Sequence, residues 1–262
     1  MLAALALLAL TADARPWLPK NAGCSDDPKA LHDTLDVPEE FVLGELHHAP
    51  MIDTAEQAEK LCRLTARAYD KKARLWVGAV ETAVLTPSGA GGYVVGPRTV
   101  VLGLFKFGDE ALVTVAKTET PVTLAQDEAF TGFDLAAFKL DEKKKAFGFR
   151  SRRNVAYAGG GGTNEKLWLF RDTDAAEGLA LVFEALMASH STTAGDWHPD
   201  HTRDHQENDG GSAVIQVAKT KTGGVFDWDK VVLATRKKAT YRWTGKRFET
   251  KDADPVEDQN GE

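Results

Sequence analysis

Residues 241–250 have the sequence Tyr-Arg-Trp-Thr-Gly-Lys-Arg-Phe-Glu-Thr, and this stretch decides the class of fold. Tyr241 and Trp243 alternate with polar residues, as expected for a strand with one buried face. Thr244-Gly245 then marks a tight turn, and Lys246–Thr250 returns as the second strand of a β-hairpin. The C-terminal part of the chain is therefore predicted to be antiparallel sheet.

The same pattern extends upstream to Leu75. Short β-rich runs follow one another, separated by glycine or charge clusters and without clear intervening helices. The run Leu179–His190 is ambiguous, because its apolar residues also fit one face of a helix. We therefore predict a mainly β (α+β) fold, either an antiparallel β-sandwich or a partly closed barrel.

One N-terminal helix is predicted from Thr54 to Leu75, packed on the sheet. Thr54 and Gln57 form a capping box, and apolar residues recur at three- and four-residue steps up to Tyr69. We expect residues 51–250 to form a single β-rich domain that includes this helix at 54–75. Residues 15–50 show no sustained period and are predicted to be an extended arm, and the polar residues 251–262 a flexible tail.

The N-terminus predicts export. Residues 1–10 are entirely apolar, and Ala12-Asp13-Ala14 has the small-x-small pattern of a signal-peptidase site. We expect residues 1–14 to be a signal peptide, because a bilayer-spanning helix needs about 20 apolar residues. The mature chain is then periplasmic or secreted, without an integral membrane segment.

The overall charge argues against one class of partner. The 262 residues include 39 acids and 32 Lys and Arg, giving a formal net charge of −7. A protein that binds nucleic acid normally carries a broad basic surface, so we expect no nucleic-acid partner.

The chain contains two cysteines, Cys24 and Cys62. In an oxidising compartment such a pair is most simply one disulfide, which would tie the arm to the predicted helix. Lipidation of Cys24 is the alternative, but residues 21–23 lack the aliphatic residue of a lipobox.

Residues 196–207 carry the strongest candidate for a site. Oxygen or nitrogen donors stand at the spacing of a calcium loop: Asp196, His198, Asp200, Thr202 through its backbone carbonyl, Asp204 and Glu207. His198 is a poor calcium ligand, and His201 occupies the position where such loops normally have glycine. A borderline ion such as zinc, held by His198, His201 or His205 with an acid, is the second hypothesis. A solvated polar turn without an ion is the third.

Other motifs are weaker. The glycine run 159–162 leads into a strand rather than a helix, which predicts a flexible inter-strand loop and not a phosphate-binding loop. No serine matches a nucleophile motif. Four tryptophans, at 168, 197, 228 and 243, would offer a sugar-stacking face, although packing in the core is the more common role of aromatic residues in strands.

Parts of the chain resemble two known groups of proteins. The order Gly195-Asp196-x-x-x-Asp200-x-x-x-Asp204 resembles the calcium loops of FG-GAP and dockerin-type modules. The segments 157–165, 194–198 and 241–248 together resemble a group of uncharacterised exported proteins of Gram-negative bacteria. That second resemblance implies export but brings no activity and no catalytic residue.

Three functions are compatible with these observations. The first is a non-catalytic exported β-rich protein that binds an unknown protein or an envelope polymer, stabilised by a calcium-like ion at 196–207. The second is an envelope-directed hydrolase that acts on saccharide or peptidoglycan through the Asp/His cluster at 196–207. The third is an inhibitor or immunity protein for an envelope-acting toxin. A concave pocket at the cluster would favour the enzyme, and a convex loop the binding protein.

Overall fold

The computed structural model describes residues 40–50, 59–70, 72–73, 75–87, 93–107, 112–118, 120–125, 127–157, 159–173 and 178–259. Within these residues the chain forms two antiparallel sheets. The first sheet contains β1 (Glu40–Pro50), β2 (Glu59–Asp70), β3 (Leu75–Pro87), β4 (Tyr93–Phe107), β5 (Leu112–Lys117) and β6 (Val122–Thr123). The second contains β7 (Glu128–Lys139), β8 (Lys145–Tyr157), β9 (Gly160–Asp172), β10 (Leu179–Trp197), β11 (Arg203–Thr222), β12 (Val225–Val232), β13 (Lys238–Trp243) and β14 (Phe248–Glu249).

Strand order follows chain order. The first sheet runs from β1 to β5, with β6 paired to β4, and the second runs from β7 to β14. Both are meanders, because a short connection joins two strands most simply as an antiparallel hairpin. A single parallel bridge, Thr118 to Leu179, links them within the described residues. The prediction of a mainly β, antiparallel fold is confirmed, and neither sheet closes into a barrel.

The predicted helix at 54–75 is replaced by a strand over Glu59–Asp70. This strand, β2, pairs with β3 in a register that places Leu64 opposite Val80 and Arg67 opposite Val77. Its sequence also alternates with a period of two, since Arg63, Thr65 and Arg67 are interleaved with apolar residues. Pairing with a β-rich neighbour therefore overrides a helical pattern that the same residues also satisfy.

Two other predictions on local structure have clear outcomes. The ambiguous run Leu179–His190 lies entirely within β10. The C-terminal hairpin is confirmed, with Trp243 paired to Phe248 and the Thr244 backbone N–H donating to the Arg247 carbonyl at 3.0 Å. Tyr241 and Phe248 are buried, as the alternation requires.

A core fills the space between the two sheets. It is built from every second residue of their central strands, because alternate side chains of a strand share one face. The buried members include Val77, Ala79, Val100, Leu102 and Leu104 of the first sheet and Phe147, Phe149, Trp168 and Phe170 of the second. Burial of each large side chain contributes about 1.5–3 kcal/mol, so this seam is a major source of stability.

A second core lies on the opposite face of the second sheet. Leu167 and Leu169 of β9 contribute to it, and the C-terminal strands supply Trp228 and Phe248. The last two rings are stacked with their centroids 3.8 Å apart. The indole Nε1 of Trp228 donates to the Lys139 carbonyl at 2.9 Å, which satisfies its polar atom.

The segment expected to be a flexible tail is anchored over residues 251–259. Val256 is buried in the second core, and the Lys230 ammonium, whose side chain is 0% exposed, pairs with Asp254 at 2.5 Å. Further along, the Glu257 backbone N–H donates to the Gly210 carbonyl at 3.0 Å, and Asn164 donates to Asp258 at 2.9 Å. The polar residues of this segment therefore form bonds with residues of the second sheet.

Several predictions fall outside the described residues. These are the signal peptide at 1–14, the first part of the arm and Cys24, so the Cys24–Cys62 disulfide stays a prediction. Residues 40–50, expected within the arm, form β1 and pair with β2.

Candidate functional site

The hairpin formed by β10 and β11 carries the predicted site. These strands have 19 and 20 residues, but β9 accompanies β10 only as far as the pair Thr193–Gly160. The Ala194 N–H still donates to the Gly159 carbonyl at 2.6 Å, and beyond it the register pairs lie across the hairpin, as for Trp197 and Arg203. At about 3.3 Å per residue, the strand extends roughly 10 Å past its neighbour. We call residues 195–205 the hairpin tip.

Backbone bonds close the turn of the hairpin tip. The His198 N–H donates to the Thr202 carbonyl at 2.8 Å, and the His201 N–H donates to the His198 carbonyl at 3.0 Å. His201 has a φ of 66°, which is the left-handed conformation expected at the position of the loop glycine. A Cβ in that region costs of the order of 1 kcal/mol, so the turn stores backbone strain.

Local bonds occupy several of the predicted metal ligands. Asp200 accepts from the Thr202 hydroxyl at 2.7 Å and from its backbone N–H at 3.0 Å, and these bonds hold the pKa of the Asp200 carboxyl below its usual range. The Thr202 carbonyl receives the His198 N–H. His198 Nε2 lies 2.9 Å from Asp204 Oδ1, and both side chains are largely exposed.

The remaining ligands lie along the hairpin rather than around a centre. Glu207 is opposite Thr192, further down the ladder, and Asp196 sits in an irregular step of the register between Ala194 and Trp197. In the described part of the chain, no group of three or more His, Cys, Asp or Glu side chains is arranged to hold a metal ion. Calcium or zinc at 196–207 remains a prediction.

Trp197 is the most exposed large hydrophobic residue among those the structure describes, at 68%. The guanidinium of Arg203 lies over its ring, 5.4 Å from the centroid, and donates through Nε to the Gly195 carbonyl at 2.7 Å. This contact holds the two side chains together at the apex. Trp and Arg are the residues most enriched among those that dominate binding energy at protein interfaces.

The other three tryptophans are not assembled into one surface. Trp228 is fully buried and Trp168 is 6% exposed, so the core packing expected for them is confirmed. Trp243 is partly buried, and the Arg171 guanidinium lies over its ring, 5.0 Å from the ring centroid. A shared sugar-stacking face of all four rings is therefore not formed.

The glycine run belongs to a strand rather than to a flexible loop. β9 begins at Gly160, where a Cβ would lie 1.8 Å from the Thr192 carbonyl oxygen. At Gly161 a Cβ would lie 2.8 Å from the Val155 carbonyl oxygen. Close approach of three backbones explains these glycines. The turn between β8 and β9 is correspondingly short.

Two buried carboxylates lie near the seam between the sheets. Glu81 accepts from Arg98 at 3.1 Å and from the Phe130 backbone N–H at 3.3 Å. Glu128 accepts a short hydrogen bond from the Ser151 hydroxyl, which itself receives the Trp168 indole N–H at 2.7 Å. These bonds tie neighbouring strands together, which is a structural role.

A cleft of about 760 Å³ opens at the same seam, and no sequence pattern predicted it. Its walls come from Thr118 and residues 120–123 on the side of the first sheet and from β9 and β10 of the second. It contains Trp168 but no residue of the hairpin tip. No periodic pattern signals it, because its walls lie about fifty residues apart in the chain.

No family model, curated protein or solved structure matches this chain. The described residues include no helix long and apolar enough to cross a membrane.

Proposed function

We propose that this chain is an exported, non-catalytic β-rich protein that binds a partner protein or an envelope component through the hairpin tip. The observation that carries the proposal is Trp197, an exposed ring held by Arg203 at the apex of a projecting ribbon. An exposed aromatic residue in a pre-organised setting loses little side-chain entropy on binding.

The shape of the tip favours binding over hydrolysis. Residues 195–202 are all exposed, and the His198–Asp204 pair lies on this convex surface. A hydrolase requires acids, a base and substrate enclosed in a shared concave site. Among the buried carboxylates of the described residues, Glu81 and Glu128 are engaged in structural hydrogen bonds, and none of the three, Asp227 included, lines the cleft between the sheets.

The proposal is tested with defined envelope fractions. The mature chain is mixed with purified peptidoglycan sacculi and, separately, with outer-membrane vesicles, and the bound fraction is measured after sedimentation. A photo-reactive residue in place of Trp197, introduced in growing Gram-negative cells, tests for a protein partner. Cell fractionation in the same cells tests export.

We expect one of these probes to bind and Trp197→Ala to weaken that binding about thirtyfold, as for a residue that contributes about 2 kcal/mol. Val217→Ala is the matched control, because Val217 is an exposed apolar residue on β11 outside the tip. If neither fraction binds and no crosslink forms, or if Trp197→Ala binds like the wild type, the proposal is wrong.

A further inference from the structure

We infer that the cleft between the two sheets is a binding site for a neutral oligosaccharide. The cleft is separate from the hairpin tip, so the inference does not depend on the function proposed above. It rests on the size of the cleft, its position and the chemistry of its walls.

The cleft has the position and size of a ligand site. It lies over the only parallel link between the sheets that the structure describes, the bridge from Thr118 to Leu179. Clefts at the junction of two packed units are frequent ligand sites, with volumes of about 300–1,000 Å³. At about 760 Å³, this cleft can hold a ligand of several rings.

The walls combine hydroxyl groups with apolar surface. Four threonines at 118, 120, 123 and 173 line the cleft, together with Pro121, Leu181 and the mostly buried rings of Trp168 and Phe170. A sugar presents hydroxyls around its edge and C–H groups on its faces, so it complements such a surface. A fatty chain would remove water from the exposed hydroxyls of Thr120 and Thr123 without replacing their hydrogen bonds, which is costly.

Two of these hydroxyls are already oriented. Thr173 donates to the Gly178 carbonyl at 2.9 Å, and Thr118 Oγ1 accepts from the Leu102 N–H at 3.1 Å. A threonine oxygen has two lone pairs and one proton, so each retains hydrogen-bonding capacity for a ligand hydroxyl. Thr120 and Thr123, on the same wall as Thr118, are exposed.

Charge decides against an anionic ligand. Of the described residues that line the cleft, Glu184 alone is charged, and none is Lys, Arg or His. Glu184 is paired with Trp168 across β10 and β9, which places both side chains on the same face. The described lining therefore offers no cationic side chain to bind a phosphate or a uronate.

The experiment is a titration of the full mature chain with three tetrasaccharides. N-acetylglucosamine tetramer and maltotetraose are the neutral probes, and tetragalacturonate is the anionic one. Binding is followed by calorimetry up to about 10 mM, where even a millimolar Kd approaches saturation. Leu181→Trp enlarges a side chain on the cleft face of β10, beside Phe170, and Ala156→Trp adds the same ring at an exposed position of β8 as the control.

We expect a neutral tetramer to bind, Leu181→Trp to abolish the binding, and Ala156→Trp to preserve it. Thr123→Val, which keeps the shape and removes one hydroxyl, should weaken binding about three- to tenfold. Trp197→Ala should bind the sugar like the wild type, which separates this test from the test of the hairpin tip. Binding of tetragalacturonate alone, of no probe, or of a neutral probe equally by Leu181→Trp overturns the inference.

Discussion

The buried ammonium of Lys230 makes the C-terminal segment a quantitative test of the fold. The side chain is 0% exposed and projects from the core face of β12 to Asp254, which is 43% exposed. Burial lowers the pKa of Lys230, and the hydrogen bond and charge of Asp254 oppose that effect. The variant Asp254→Asn keeps an oxygen for the Val256 backbone N–H but removes the charge that faces the ammonium.

The expected loss of stability in Asp254→Asn follows from the exposure of Lys230 and Asp254. Breaking a fully buried ion pair costs about 3–5 kcal/mol, because one charge is left unpaired in the interior. Since Asp254 is 43% exposed, solvent screens part of that interaction, and we expect Asp254→Asn to lower the free energy of unfolding by about 2 kcal/mol. Urea denaturation followed by circular dichroism measures this change.

Two further variants make the result specific. Asp252→Asn is the matched control, because Asp252 is an exposed acid of the same segment that accepts from the Thr240 N–H. It should change the free energy of unfolding by less than about 0.5 kcal/mol. Adding Lys230→Met to Asp254→Asn replaces the unpaired ammonium by an apolar chain and should recover at least about 1 kcal/mol. If Asp254→Asn is no less stable than Asp252→Asn, or if Lys230→Met recovers nothing, the ion pair has no such role.

Three other predictions concern pH, packing and ions. Burial, with smaller effects of Asp254 and Asp252, raises the pKa of Tyr241 from 10.0 to about 12, so the folded state keeps this proton longer than the unfolded state. Stability should therefore fall by about 2–3 kcal/mol as pH rises from 10 to 12 in urea titrations, and an equally steep fall in Tyr241→Phe would contradict this cause. In Gly148→Ala the new Cβ would lie 1.7 Å from the Trp168 carbonyl oxygen, so we expect a loss of at least about 3 kcal/mol, and an unchanged urea midpoint would refute the close approach. The ion hypothesis for residues 196–207 predicts that the thermal midpoint falls with EDTA and rises with calcium or zinc, and a midpoint that none of them moves excludes both ions.

Local patterns in the sequence predicted most of the second sheet. The hairpin around Thr244-Gly245 was predictable because its turn and its alternation are both encoded within ten residues. The helix at 54–75 was predicted wrongly over Glu59–Asp70 because small apolar residues in that stretch fit both a helical and a strand period. Its pairing with β3 depends on residues that lie outside the window in which such periods are assessed.

The candidate site was predictable only in part. Donor spacing at 196–207 located an exposed polar turn and the left-handed position of His201. It did not predict that Glu207 would pair with Thr192 in the β-ladder, away from the turn. The cleft could not be predicted from the sequence for a different reason, because Thr118 and Glu184 come together only when two separate sheets pack.

The chain-ordered meander has a consequence for how the protein is made. Nearly every strand pairs with the strand synthesised just before it, so assembly requires only short loop closures. Strands can therefore be added one after another, starting from the N-terminal side. Lys230, by contrast, enters the core about two dozen residues before its counter-charge Asp254 is translated. We expect nascent chains that stop before Asp254 to be markedly more sensitive to proteases, because the second core is completed only when residues 254–259 have been added.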